Sequence, residues 1–371
     1  MKIGILLIRT GVILLSLLML PALPLSIADR PFKTAEAGRV LFFPHDHGKH
    51  SDFQTEWWYF TGNLDSADHK WGFQLTFFRR GLVEERPNLN SSWAVRDLYP
   101  AHFALTDITN RRFFHTELLS REGPGLAGGA ADDLRVHVRD WIAERRGQEI
   151  HIKSQKDGYA LELRLIPEKD KVLHGQSGYS RKGDSSEQAS HYYSFTRLNA
   201  EGTLTFAGEA HKVSGQAWMD HEFGSGIVLE EQAGWDWFCL QLDDGTEVMV
   251  FHLRMKDGTF ERPFGTYVPA EGPPIDLAGK PIKIVATGTW TSPHTKAVYP
   301  SGWKIEIPEK KISVEISPFI DDQEILATGR STQIVYWEGA VEVKGHREGK
   351  PVCGRGYAEL TGYAHAMGGR L

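Results

Sequence analysis

Trp57-Trp58-Tyr59-Phe60-Thr61-Gly62-Asn63-Leu64-Asp65 returns, altered, as Trp235-Asp236-Trp237-Phe238-Cys239-Leu240-Gln241-Leu242-Asp243. Trp, Phe, Leu and Asp coincide at four of the nine positions. Each copy then turns and re-enters an apolar run that ends in arginine, Arg79 in one and Arg254 in the other. Each is preceded by an Asp-His pair, Asp46-His47 and Asp220-His221. Features repeated in the same order point to a duplicated unit, so this chain builds one architecture twice.

That architecture is all-β. Short runs rich in β-branched and aromatic residues recur at Trp71–Phe78, His102–Thr106, Tyr159–Ile166, Tyr192–Leu198, Val248–Leu253, Ile282–Trp290, Ile312–Ile316 and Ile334–Val343. Turn residues such as Lys156-Asp157-Gly158 and Asp243-Asp244-Gly245 separate them, the pattern of barrels or sandwiches. A chain of 371 residues that is 41% hydrophobic and 24% charged is globular, and two cysteines exclude a disulfide framework. The net charge of −6, with no basic block, speaks against nucleic acid as a partner.

Residues 1–28 read as a signal peptide. Lys2 and Arg9 lead an aliphatic stretch, Pro21 and Pro24 interrupt it, and Ser26-Ile27-Ala28 suits cleavage near Ala28. The same stretch is barely long enough to span a bilayer, so a secreted, periplasmic chain is expected rather than an anchored one. A lead-in over 29–40 then precedes an N-terminal barrel over 41–225 and a C-terminal barrel over 226–371. In that compartment Cys239 and Cys353 could pair or remain two separate thiols.

Three polar constellations are candidates for chemistry. Asp220-His221-Glu222 follows a strand and offers a general acid or base flanked by carboxylates. Asp236, between Trp235 and Trp237, would be held protonated if it faced an apolar lumen. His47, His50 and Glu56 form a polar loop at a barrel mouth, with spacings that match no familiar metal module. Trp57, Trp58, Tyr59, Tyr192, Trp218, Trp235, Trp237 and Phe238 are candidate walls of an apolar ligand pocket. No serine-nucleophile elbow, phosphate loop or dinucleotide fingerprint occurs, so no cofactor is called for.

Several runs resemble the carotenoid 1,2-hydratase (hydroxyneurosporene synthase) family and its secreted AttH-like, lipocalin-like branch. They are Phe43-Pro44-His45-Asp46-His47-Gly48-Lys49-His50, Thr55–Leu64, Ala217-Trp218-Met219-Asp220-His221-Glu222, Gly234–Phe238, Tyr336-Trp337-Glu338-Gly339-Ala340 and Glu359-Leu360-Thr361-Gly362-Tyr363. The resemblance implies two lipocalin-like barrels side by side. It also implies hydro-lyase chemistry on an isoprenoid double bond, and an ABC exporter for lipids or lipoproteins as partner. Relatives often carry Trp after His-Glu where this chain has Phe223, a position the resemblance places in the active site. Four readings stay open: a carrier of an isoprenoid or lipid, a hydratase acting on one, a hydrolase using Asp-His-Glu and water, and a scaffold.

Overall fold

The computed structural model describes residues 32–82, 95–183, 188–225, 231–327, 329 and 331–367. The expected signal peptide and residues 226–230 at the expected domain boundary lie outside the described residues. Two single turns of 3-10 helix, His45–His47 and Pro308–Lys310, are the only helices among the described residues, and the remainder is strand and connection.

The strands form two large antiparallel sheets, one of thirteen strands within Thr55–Gly224 and one of ten within Gln232–Thr361. In the first, the opening strand Thr55–Asp65 pairs with its own successor Lys70–Gly81 and with the closing strand Glu209–Gly224. In the second, Gln232–Leu242 pairs in the same way with Glu247–Met255 and with the last strand Lys350–Thr361. Each sheet curls round its own apolar core, giving two lipocalin-like barrels related by duplication. Phe60, Phe73, Phe103 and Trp141 fill the first, and Phe238, Trp303, Ile305 and Trp337 fill the second.

Strand alternation decides which side chains enter which core. Trp58 and Phe60 point into the first barrel, and Trp57 and Tyr59 point out of it. Phe238 and Leu240 point into the second barrel, and Trp237 and Cys239 point out. The outward faces meet. Tyr59, Tyr192 and Trp218 of the first half pack on Trp237, Met249, Phe251 and Tyr357 of the second, forming a third core between the barrels. Strands in this seam are buried on both faces and read as nearly continuous apolar runs. The distant strand Glu149–Lys156, with one face in water, alternates.

Close approach at the seam depends on a small residue. A Cβ on Gly72 would stand 2.6 Å from the Tyr357 hydroxyl and 2.9 Å from Ala340 Cβ. Polar contacts fix the register of one barrel on the other. Glu247 accepts from Lys169 at 2.8 Å and from Arg197 at 2.5 Å, and Asn63 donates to the Gly356 carbonyl at 3.1 Å. Burying the seam aromatics contributes on the order of 2 kcal/mol each. The thiols of Cys239, buried in the seam, and of Cys353, exposed, are both free.

Candidate functional site

The seam is not packed throughout. A cleft of about 980 Å³, its solvent-open mouth included, lies between the barrels. Its aromatic wall is Trp57, Tyr59, Tyr192, Trp235, Trp237 and Tyr336, and Asp220, Glu222, Glu338 and Glu359 are set into it. Register explains this grouping. Tyr59 lies opposite Asp220, and at the same place in the second barrel Trp237 lies opposite Glu359. One strand further on, Asp220 faces Ser194 and Glu359 faces Glu338, while Tyr192 and Tyr336 take equivalent places two residues away. The two halves thus contribute corresponding positions to a single space, filled with different residues.

The carboxyl groups differ in what holds them. Asp220 accepts from Trp218 Nε1 at 2.6 Å, from the Tyr192 hydroxyl at 2.8 Å and from the Ser194 hydroxyl. Burial drives its pKa up and the three donors oppose this, leaving it at about 7, where the carboxyl switches around neutrality. Burial likewise raises Glu359 to about 7 against a single donor, Trp235 Nε1 at 2.7 Å. Burial and the charge of Glu359 push Glu338 well above its ordinary value, toward the protonated form. Its Oε1 accepts from the Tyr59 hydroxyl at 2.5 Å, and its buried Oε2 has no partner in the protein. Glu222 is paired instead: Lys182 Nζ lies 2.8 Å from its Oε1, and that ammonium also sits 4.5 Å from the centre of the Phe251 ring. The cleft therefore combines a carboxyl biased toward its protonated form, titrating carboxyls and aromatic faces within one space.

The AttH-like family profile matches residues 34–363, which take in both barrels and the cleft. The chain belongs to the AttH-like family. The crystal structure of an AttH protein from Nitrosomonas europaea shares 35% identity and superposes with a TM-score of 0.77, covering 88% of this chain and 98% of that one. Kievitone hydratase from Nectria haematococca, at 16% identity and a TM-score of 0.67, covers 90% of this chain and 96% of that one. That likeness shows a shared fold. No curated protein matches the sequence.

Within this AttH-like chain the sequence candidates divide between three places. Asp220, Glu222, Trp57, Tyr59, Tyr192, Trp235 and Trp237 line the cleft, and Trp218 stands behind Asp220 as its donor. His221 does not join its neighbours. Alternation turns it into the first barrel, so Asp220-His221-Glu222 does not present one acid-base group. Asp236 is turned into the second barrel, where it accepts from Tyr363 at 3.0 Å and lies 3.2 Å from His252 Nε2. Trp58 stacks on His221 inside the first barrel, and Phe238 packs edge-on to Trp303 inside the second.

His47, His50 and Glu56 do not form an open polar mouth. They belong to a buried cluster that locks the end of the first barrel. Glu56 Oε1 lies 2.8 Å from His50 Nδ1 and 3.0 Å from His221 Nε2, and Glu56 Oε2 accepts from Arg79 Nε at 2.9 Å. Arg79 also donates to Asp97 at 2.9 Å, and the Tyr193 hydroxyl bridges His47 and His221. Burial would raise the Glu56 pKa, yet His221, His50 and Arg79 hold it well below the usual range. Burial lowers His47 to about 3, leaving it neutral. The ligand atoms of His50, Glu56 and His221 lie within 4.8 Å of one another, but hydrogen bonds within the cluster already engage them. Phe223 caps this cluster by stacking on His50 at 3.5 Å and does not line the cleft.

Glu338, Glu359, Tyr336, Lys182 and Gln74 are cleft residues that sequence reasoning did not select. The signal was present in Tyr336-Trp337-Glu338-Gly339-Ala340, where a carboxylate sits inside an otherwise uncharged run. Such a residue is costly to bury without a reason.

Proposed function

We propose that the cleft binds an apolar, alkene-bearing molecule of the isoprenoid or lipid class and adds water across its double bond. The observation that carries this reading is the Glu338 carboxyl, buried in an aromatic cleft with one oxygen unpartnered. The Glu338 O–H gives its proton to one alkene carbon, leaving a tertiary cation on the other. The faces of Trp57, Tyr59 and Trp237 stabilise that charge. Asp220, as carboxylate, takes a proton from a water molecule while the water oxygen bonds to the cationic carbon, giving the alcohol. Exchange with solvent then returns a proton to Glu338 and removes one from Asp220. Sharing a fold with a hydratase supports this order of events over simple carriage. Hydrolysis by an Asp-His-Glu group is disfavoured by the inward facing of His221.

The same reading places the chain outside the cytoplasm, delivered by residues 1–28, with an ABC exporter for lipids or lipoproteins as partner. The test is native mass spectrometry with lipid extraction of the protein from its own host, followed by turnover of the recovered ligand in 18O-labelled water. One isoprenoid or lipid per chain, with label entering the product in wild type and not in Glu338→Gln, is expected. Protein that is empty in repeated preparations would remove the ligand-binding premise, and bound ligand that never takes up label would reduce the protein to a carrier.

A further inference from the structure

One end of the cleft is polar, and its hydrogen bonds run in a direction that can be read. Glu117 accepts the hydroxyl proton of Ser331, and its Oε2 also accepts the Ser331 N–H at 3.0 Å. The Ser331 oxygen is therefore free to accept from His102 Nε2, 2.9 Å away. Burial lowers the His102 pKa to about 4, so the ring is neutral and carries a single N–H. With that proton on Nε2, His102 Nδ1 is an acceptor, and the Tyr336 hydroxyl 2.8 Å away donates to it. Thr76 lies opposite His102 on the neighbouring strand and takes a hydrogen bond from the Gln74 amide nitrogen at 2.5 Å. What Gln74 turns to the cleft is its carbonyl oxygen, buried and without a partner.

We infer that the ligand carries a hydroxyl group, or another hydrogen-bond donor, that this carbonyl receives, and that Gln74 selects prenyl alcohols and phenols over pure hydrocarbons. This rests on the cleft being the ligand site proposed above. With its amide nitrogen on Thr76, Gln74 offers the ligand its carbonyl, so a ligand that only accepts leaves that carbonyl unsatisfied. An unmade hydrogen bond at a buried acceptor corresponds to a loss of roughly 10-fold to 100-fold in affinity.

The full-length protein is titrated with farnesol and with farnesyl methyl ether, followed by quenching of tryptophan fluorescence. The two probes differ in the one hydrogen that matters. Wild type should bind the alcohol at least 10-fold more tightly, and Gln74→Leu should erase that preference. Thr76→Val is the second variant: it removes the acceptor that holds the amide nitrogen, frees the amide to rotate and should narrow the preference with the core intact. Equal binding of both probes by wild type overturns the inference while leaving the cleft as a lipid site. A preference that survives in both variants overturns the assignment to Gln74. If neither probe binds, the ligand-site reading fails, and this inference with it.

Discussion

Replacing Asp220 by Asn should stabilise the protein, and by an amount that depends on pH. The carboxyl has an ordinary value of 3.8 and titrates at about 7 in the fold. Because the folded value is the higher, the folded state holds the proton between the two. The associated stability is fully present below about pH 4 and is lost as pH rises through 7. A shift of that size corresponds to about 4 kcal/mol at 1.36 kcal/mol per unit. Asn cannot ionise. Its carbonyl can still accept from Ser194 and Trp218, and its amide can donate to the Tyr192 oxygen, so the variant should avoid the penalty with little loss of packing. Taking about 2.1 cal/mol/K per residue over the compact unit Phe32–Leu371 gives about 0.7 kcal/mol/K, so about 4 kcal/mol becomes roughly 6 °C. The assay is the melting temperature of D220N minus that of wild type from pH 4 to pH 8, which cancels most other titrating groups. The difference should grow with pH, centred near pH 5–7, while turnover is abolished. A flat difference, or one that shrinks as pH rises, would show that Asp220 is not held neutral by burial.

Further outcomes follow from the same geometry. Turnover should rise with pH through about 7 as Asp220 ionises; a profile that falls across that range would reverse the roles of Asp220 and Glu338. Arg79→Met should cost about 3–5 kcal/mol in denaturant unfolding, because it leaves Glu56 and Asp97 buried without their cation; a cost below about 1 kcal/mol would mean that the cluster is not needed to hold the barrel end. The folded pKa of Glu56 is depressed, so its contribution is present above the unfolded value near 4.5 and is lost as pH falls; wild type should therefore unfold in acid more readily than Glu56→Gln, relative to each protein at pH 7. Cys353 should react with a thiol reagent in the native protein, slowly because its bond to Asp243 raises its pKa, whereas Cys239 should react only on unfolding. Fast labelling of both in native protein would contradict the packed seam.

The architecture was legible in the sequence because its signals are local and repeated. Period-two runs and turn residues mark strands, and the Trp57–Asp65 and Trp235–Asp243 match marks the duplication. Alternation also placed Trp235 and Trp237 on one face and Asp236 on the other. What the sequence did not carry was which face looks at water, core or partner barrel. Both faces of these strands are apolar, so nothing in Trp-Trp-Tyr-Phe distinguishes the lumen from the seam. The site was therefore expected in a barrel, and residues in barrel interiors, His221 and Asp236 among them, were grouped with residues facing the seam. Glu338 and Glu359 escaped because the side chains that hold them, Tyr59 for one and Trp235 for the other, lie more than a hundred residues away.

The cleft exists only where two copies of one unit meet, and corresponding positions face each other across it. Two identical separate chains meeting on the same surface would have to place the same side chain on both sides. They could not set an acid against a group tuned differently from it. Joining the copies in one polypeptide removes that restriction. Ser194 and Glu338, Glu222 and Thr361, and Asp220 and Glu359 are free to diverge because each is encoded separately. By the same token, neither half can be detached with the cleft intact, since each contributes only one wall of it.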